Sequence, residues 1–272
     1  METNNLLTES ARKGNLNEVK NLVENGGDSD LALRWSARYG HLDIVKYLVE
    51  KGTDIHTYFD YAFKHSASNG HLDVVKYLIE KGADIHTSHD LALRHSASNG
   101  HLDVVNYLVK KGANIHLNFE EALRWSACYG HLDVVKYLVE NGADIHVYSN
   151  LTLEWSTNNE HLDVVKFLVE KEIGLHTDFE EPLRISARNG RLDIVKFFVE
   201  KGADIHAYPA AVRVPAEHGH LDVVKYLVEK GAKITNNLYD KQNIMKCLFK
   251  IIQNNDVIYF TDAYIHEWLW KP

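Results

Sequence analysis

The phrase GHLDVVKYLVENGADIH, residues 130–146, recurs in near copies along almost the whole chain. Its leading histidine stands at His41, His71, His101, His131 and His161; Arg191 holds the slot next, and His220 follows. The intervals are 30 residues each, except the last, which is 29. A fixed period of this size argues against one large core. It specifies small units that bury their apolar faces only against their neighbours.

A single unit shows how. Residues 31–38, LALRWSAR, read as a short first helix. Asp30 precedes it, and Asp60, Asp90 and Asn150 recur at that position, where a side-chain oxygen can accept a backbone N–H and cap the helix. Glu120 and Glu180 stand there in two units; Asn118 and Asp178 lie two residues earlier, each with a glutamate three residues on (Glu121, Glu181), the arrangement of a capping box. Gly40 breaks the chain, and a second helix runs from Leu42 to about Lys51. Leu42, Val45, Leu48 and Val49 share its inward face, and Asp43, Lys46 and Glu50 the opposite one. Asp43 and Lys46 are spaced as an exposed ion pair. Gly52 ends the helix in the left-handed conformation that glycine adopts at little cost.

The stretch SACYGHLDVVKYLVENGADIH, residues 126–146, resembles the ankyrin repeat, whose pattern joins an A-A-x-x-G-H-L turn, an E/D-V-V-K-x-L-L helix and G-A-D-V-N. The likeness covers residues 6–234. Units of this length and wording are most similar to the ankyrin repeat proteins of giant amoeba-infecting DNA viruses of the mimivirus kind. The resemblance implies an all-α fold: an ankyrin-type helical solenoid of about eight helix-turn-helix repeats of 30 residues, with shortened inter-repeat loops and a helical C-terminal cap. The usual unit has about 33 residues; those missing here belong to the turn before the first helix, so the family's projecting fingers are expected to be cropped to plain loops. T-P-L-H is replaced by Leu31-Ala32-Leu33-Arg34.

The expected organisation is a degenerate N-terminal capping repeat at residues 1–30, the array at 31–235 and a helical cap or tail at 236–272. In the tail, residues 240–253 read as an amphipathic helix, and Thr261 can cap a last one carrying Tyr264, Ile265, Trp268 and Leu269. Two units are irregular. Near His161 the turn glycine is Glu160, the terminating glycine is Glu172 and Gly174 comes two residues late; near His220, Pro215 falls inside the first helix and should shorten or kink it.

The net charge is −8, and phosphate binding needs a basic surface, so nucleic acid is not an expected partner. No apolar run approaches the roughly 20 residues that span a bilayer, and the first residues carry no signal-peptide pattern. A monomeric, intracellular, cytoplasmic protein is expected, in host cytoplasm or virion if it is viral. Cys128 and Cys247 match no disulfide or metal spacing.

Seventeen histidines invite a metal reading. Most fall in two columns, G-H-L and D-I-H (His56, His86, His116, His146, His176, His206), and stacked copies lie too far apart to share one ion. They are read as structural turn residues, with no metal, cofactor or catalytic group. A third column, Arg34, Lys64, Arg94, Arg124, Arg184 and Arg213, is either a basic stripe for an acidic partner or a self-neutralised stripe. The acids four residues earlier favour the second reading.

The adjacent column is Trp35, His65, His95, Trp125, Trp155, Ile185 and Val214. A core would not exchange tryptophan for histidine so freely. With Leu33, Ser36 and Ala37 inward, this column faces the other way, on what the resemblance implies is the concave side. The candidate partner-binding residues are Trp35, Arg38, Tyr39, Trp125, Tyr129, Trp155, Asn158, Asn159 and Arg188, of types enriched at interfaces for the aromatics and arginines. Loop aromatics Tyr58, Phe59, Phe119, Tyr148, Phe179 and Tyr208 lie nearby, and Phe119 and Phe179 are read at least equally as covers folded over the first helices. The resemblance implies a non-catalytic scaffold binding a protein partner, of identity not given by the sequence, on the concave first-helix and loop surface. An alternative is an adaptor whose tail recruits a second protein such as a ubiquitin-ligase component.

Overall fold

A computed structural model describes residues 2–146, 151–171, 179–206 and 211–232; the expected tail helices, Asn150, Glu172, Gly174, His176 and Asp178 lie outside these. The described residues are helical, without strands, and divide into two units, Met1–Ile173 and Gly174–Pro272. The first unit holds six helix pairs: α1 (Glu2–Lys13) with α2 (Leu16–Glu24), α3 (Ser29–Arg38) with α4 (Leu42–Glu50), α5 (Thr57–Ser68) with α6 (Leu72–Glu80), α7 (Thr87–Ser98) with α8 (Leu102–Lys110), α9 (Leu117–Cys128) with α10 (Leu132–Glu140), and α11 (Leu151–Asn158) with α12 (Leu162–Lys171). The second holds α13 (Glu180–Arg188) with α14 (Leu192–Glu200) and α15 (Arg213–Glu217) with α16 (Leu221–Glu229). No described helix is long and apolar enough to cross a membrane.

In the first unit each first helix packs on the next first helix, and each second helix on the next second helix. Of the predicted inward residues, Leu33, Phe63, Leu93, Leu123 and Leu153 are buried, as are Leu48, Leu78, Leu108 and Leu138, whereas on α4 Leu42 and Val49 are half-buried and Ile44 takes a core place beside Val45. Ser36 and its counterparts Ser66, Ser96, Ser126 and Ser156 are buried too, each hydroxyl donating to the carbonyl three residues back. This satisfies a polar group that burial would otherwise penalise. Pro215 lies in a five-residue helix, the shortening its position predicted.

The histidine of G-H-L ties one repeat to the one before it. The Nε2–H of His71 donates to the Arg38 carbonyl at 3.0 Å, that of His101 to Ser68 at 3.1 Å and that of His131 to Ser98 at 2.9 Å. These acceptors are last-turn carbonyls, which have no partner within their own helix. The rings also lie on the preceding turn glycines: a Cβ on Gly40, Gly70 or Gly100 would fall 2.5 Å from a histidine Nδ1. Glu160, the one described non-glycine at this slot, takes the left-handed conformation at φ 71 and keeps the turn's hydrogen bonds, so the turn is not rebuilt.

Several local expectations are corrected. The cap of α3 is Asp28, whose carboxylate accepts the Leu31 N–H at 3.0 Å, because the helix starts earlier and Asp30 falls in its first turn. The cropped loops are not plain. Residues 58–60, 88–90 and 118–120 each form a left-handed turn, with φ between 50 and 61. Asp60, Asp90 and Glu120 close these turns and are buried rather than capping, and Asn118 donates to the Glu121 side chain instead of forming a capping box. Asp43 accepts the Ile44 N–H at 2.9 Å, while Lys46 lies over the ring of Tyr77 in the next repeat, 5.8 Å from its centroid, so the expected ion pair does not form.

Candidate binding surface

Burial along each first helix separates two faces. In α3, Ala32, Leu33, Ser36 and Ala37 are buried, whereas Arg34, Trp35 and Arg38 are half-buried and Tyr39 is exposed. The pattern repeats in α9: Arg124, Trp125 and Cys128 are half-buried and Tyr129 is exposed. The sequence therefore identifies the outward columns of these helices correctly, but Ile185, placed in the same outward column, is buried in α13.

The predicted residues gather into two groups within the first unit. Around α3, Trp35 stacks on Tyr39 with centroids 6.1 Å apart, and the Arg38 and Arg12 guanidinium groups lie 5.5 and 5.6 Å from the Trp35 ring centre. Around α9 and α11, Trp125 stacks on Tyr129 at 5.6 Å and meets Trp155 at 5.2 Å. Asn159 donates to the Trp155 carbonyl at 2.9 Å and to Cys128 Sγ at 3.3 Å, and Asn158 is exposed. Arg188 is exposed in the second unit, where its carbonyl accepts the His220 Nε2–H at 2.9 Å.

In three repeats the acid four residues ahead of the basic column does not form an ion pair with it. The left-handed turns direct those acids inward, onto the D-I-H histidines: His56 Nδ1 lies 2.7 Å from Asp60, His86 Nδ1 2.8 Å from Asp90 and His116 Nδ1 2.6 Å from Glu120. The cations find other partners. Arg34 lies over Tyr58 and Tyr61 of the next repeat, at 4.5 and 4.7 Å. Lys64 donates to Ser88 Oγ at 3.1 Å. Arg94 pairs with Glu121, which also accepts from Asn118 at 3.0 Å and Trp125 Nε1 at 3.1 Å. Burial pushes the Glu121 carboxyl up, but its hydrogen bonds from Asn118, Arg94 and Trp125 outweigh that and hold it below the usual range. Arg184 pairs with Glu181 in its own helix.

The loops add exposed aromatic groups. Tyr58 is 62 % exposed, Phe59 80 % and Phe119 64 %. Phe119 therefore does not cover its helix; the left-handed turn points it outward. Phe179 does act as a cover, half-buried with its ring 5.8 Å from that of Phe198. Left-handed conformation costs a non-glycine residue about 1–2 kcal/mol, so three consecutive residues hold Phe59 at a tip against a backbone preference. Sequence reasoning missed Arg12, and it read Glu121 only as part of a capping box. Aligning Gly14 with Gly40 would have placed Arg12 in the column of Arg38.

His65 lies between the two groups, stacked on Tyr61 at 3.8 Å. Burial, then the charge of Arg38, followed by His95, Lys64 and Arg34, pushes its imidazole down to about 4. The unfolded chain takes up this proton below its ordinary value near 6.5 and the folded one only near 4, so this group removes stability as pH falls through that window. His65→Gln is expected to flatten the pH dependence of the denaturation midpoint between about pH 6.5 and 4, measured by urea titrations. An unchanged slope would contradict this assignment.

The geometry matches a family defined by such stacked pairs. A family model described as ankyrin repeats (3 copies) matches residues 63–149, 123–209 and 153–238, and one described as ankyrin repeats (many copies) matches residues 31–79. The chain belongs to the ankyrin repeat family. Ankyrin repeats generally mediate protein–protein interactions and are typically non-catalytic, which implies a protein partner. No curated protein matches the chain. In this ankyrin array, no three metal-ligating side chains converge among the described residues.

Proposed function

We propose that this ankyrin protein is a non-catalytic scaffold that binds a partner protein on the face made by its first helices and the loops before them. The observation that supports this is where large apolar side chains remain exposed. Of the six such residues described, five (Tyr39, Tyr58, Phe59, Phe119 and Tyr129) end a first helix or sit at a loop tip, with Leu6 the exception. Trp35, Trp125 and Trp155 lie beside them, half-buried, and Trp, Tyr and Arg dominate interface energetics. The second helices instead present charged groups such as Asp43, Lys46 and Glu50. The likeness to giant-virus ankyrin proteins belongs to the same proposal and rests on unit length and wording; the adaptor alternative concerns residues outside those described.

The test is site-specific photo-crosslinking. A photoreactive amino acid at Tyr39 or Tyr129 is expected to capture a protein partner, and one at Lys46 or Lys136 is not. Equal capture from both faces, or capture from the second helices alone, would refute the assignment. Trp35→Ala, Trp125→Ala and Trp155→Ala together should abolish capture with helical circular dichroism retained. Tyr39→Ala with Tyr129→Ala, which removes only exposed rings, should weaken it.

A further inference from the structure

Charge is distributed unevenly along this face. The protein carries a net charge of −8, yet Arg34, Arg38 and Lys64 have no carboxylate within ion-pairing distance among the described residues. Arg34 is held by rings, Arg38 lies over Trp35 and Lys64 donates to a serine hydroxyl. Asp60, which sequence spacing would pair with Lys64, is turned inward, and Asp30, in the first turn of the helix that carries Arg34, makes no ion pair with it. Asp60 is buried against His56 beneath the loop that exposes Tyr58 and Phe59. Further along, Glu121 takes up Arg94 and ends the unpaired stretch.

We infer that the stretch carrying Arg34, Arg38 and Lys64 docks an acidic segment of a partner protein, its carboxylates on these cations and its apolar side chains against Tyr58 and Phe59. This rests on the first-helix face being the binding surface. Two features favour a carboxylate-bearing peptide. The guanidinium groups are pre-oriented by stacking, which lowers the entropy lost on forming each hydrogen bond. The exposed rings beside them offer apolar contact that an acidic peptide with aromatic residues can use. The low proton affinity of His65 comes first from burial and then from the charge of Arg38, with smaller parts from His95, Lys64 and Arg34, and that charge part agrees with a positive local potential. A nucleic-acid strand fits less well, because its phosphates meet an acidic protein outside this short stretch.

Fluorescence anisotropy on the full chain tests this with a labelled peptide of alternating glutamate and tyrosine, and with the same peptide carrying lysine or glutamine for glutamate. The glutamate peptide is expected to bind at least about tenfold more tightly than the lysine peptide and to weaken with added salt. Combining Arg34→Gln, Arg38→Gln and Lys64→Gln should weaken it about tenfold, the sum of three partly exposed ion pairs. Lys46→Gln with Lys76→Gln and Lys136→Gln, on the second helices, should leave it unchanged, and Arg34→Lys with Arg38→Lys should keep most of it. If the triple variant loses its helical signal, Arg38→Gln alone is read instead, with about a threefold loss expected. Equal binding of the lysine peptide, equal sensitivity to the second-helix variants, or tighter binding of a single-stranded oligonucleotide that depends on the same three cations would overturn the inference. If instead the glutamine or lysine peptide binds best and is lost in Tyr39→Ala with Tyr129→Ala, the charge inference falls while the first-helix face stands. Binding indifferent to both sets of first-helix variants would remove both.

Discussion

Replacing Gly70 with alanine is expected to destabilise the first unit by about 2–3 kcal/mol. Two costs combine. Gly70 sits at φ +77, where a residue with a Cβ loses roughly 1–2 kcal/mol. The added carbon would also lie 2.5 Å from His101 Nδ1 and 2.8 Å from Cε1, so the ring must move and release its bond to the Ser68 carbonyl, worth roughly 1 kcal/mol. Gly52, at φ +91 with nothing near its missing Cβ, supplies the comparison, and Gly52→Ala should show backbone strain without the collision.

A double-mutant cycle isolates the collision. His101→Ala alone loses the inter-repeat bond, but in its presence Gly70→Ala meets no ring. The two changes together should therefore cost about 1 kcal/mol or more less than the sum of the singles, measured by urea denaturation. Strict additivity would show that the ring does not need glycine beneath it. The sequence drops both features in step: position 160 is Glu160, and the histidine slot in the next copy is Arg191.

Much of the fold was legible because it depends on periodicity. The 30-residue interval, the inward Leu33, Ser36 and Ala37, the terminating glycines and the shortening at Pro215 all follow from local rules, which the repeats apply again and again. What failed depended on backbone hand or on a neighbouring repeat. The pairing of Asp60 with Lys64, or Asp90 with Arg94, presumes a right-handed helix throughout. Tyr58-Phe59-Asp60 contains no glycine to announce a left-handed turn, and that turn carries the acid to the other side, onto His56. The G-H-L histidine reads as a local turn residue because its acceptor, a carbonyl 33 residues back at His71, His101 and His131, is invisible to local spacing. The outward columns of the proposed binding face (Trp35, Arg38, Tyr39, Trp125, Tyr129) were legible, since each is set by helical phase. Its electrostatics were not, since they follow from where Asp60, Asp90 and Glu120 turn.

Asp90→Ala should cost about 3 kcal/mol and loosen the contact between consecutive repeats more than either repeat alone. Asp90 is fully buried at φ 51. One carboxylate oxygen meets His86 Nδ1 at 2.8 Å, and the other accepts the Asn114 N–H of the following repeat at 2.9 Å. Bonds to a charged acceptor contribute about 1.5–3 kcal/mol each, offset here by the desolvation that the carboxylate no longer undergoes. Alanine also tolerates the left-handed conformation less well than aspartate, so Asp90→Gly should recover about 1 kcal/mol of the loss while restoring neither hydrogen bond. Amide hydrogen exchange locates the damage. Exchange at Asn114 and its neighbours should accelerate in both variants, because nearest-neighbour terms hold such an array together and this bond is one of them. If Asn114 and its neighbours exchanged no faster in either variant than in the parent, the bond from Asp90 to Asn114 would contribute nothing to the stack.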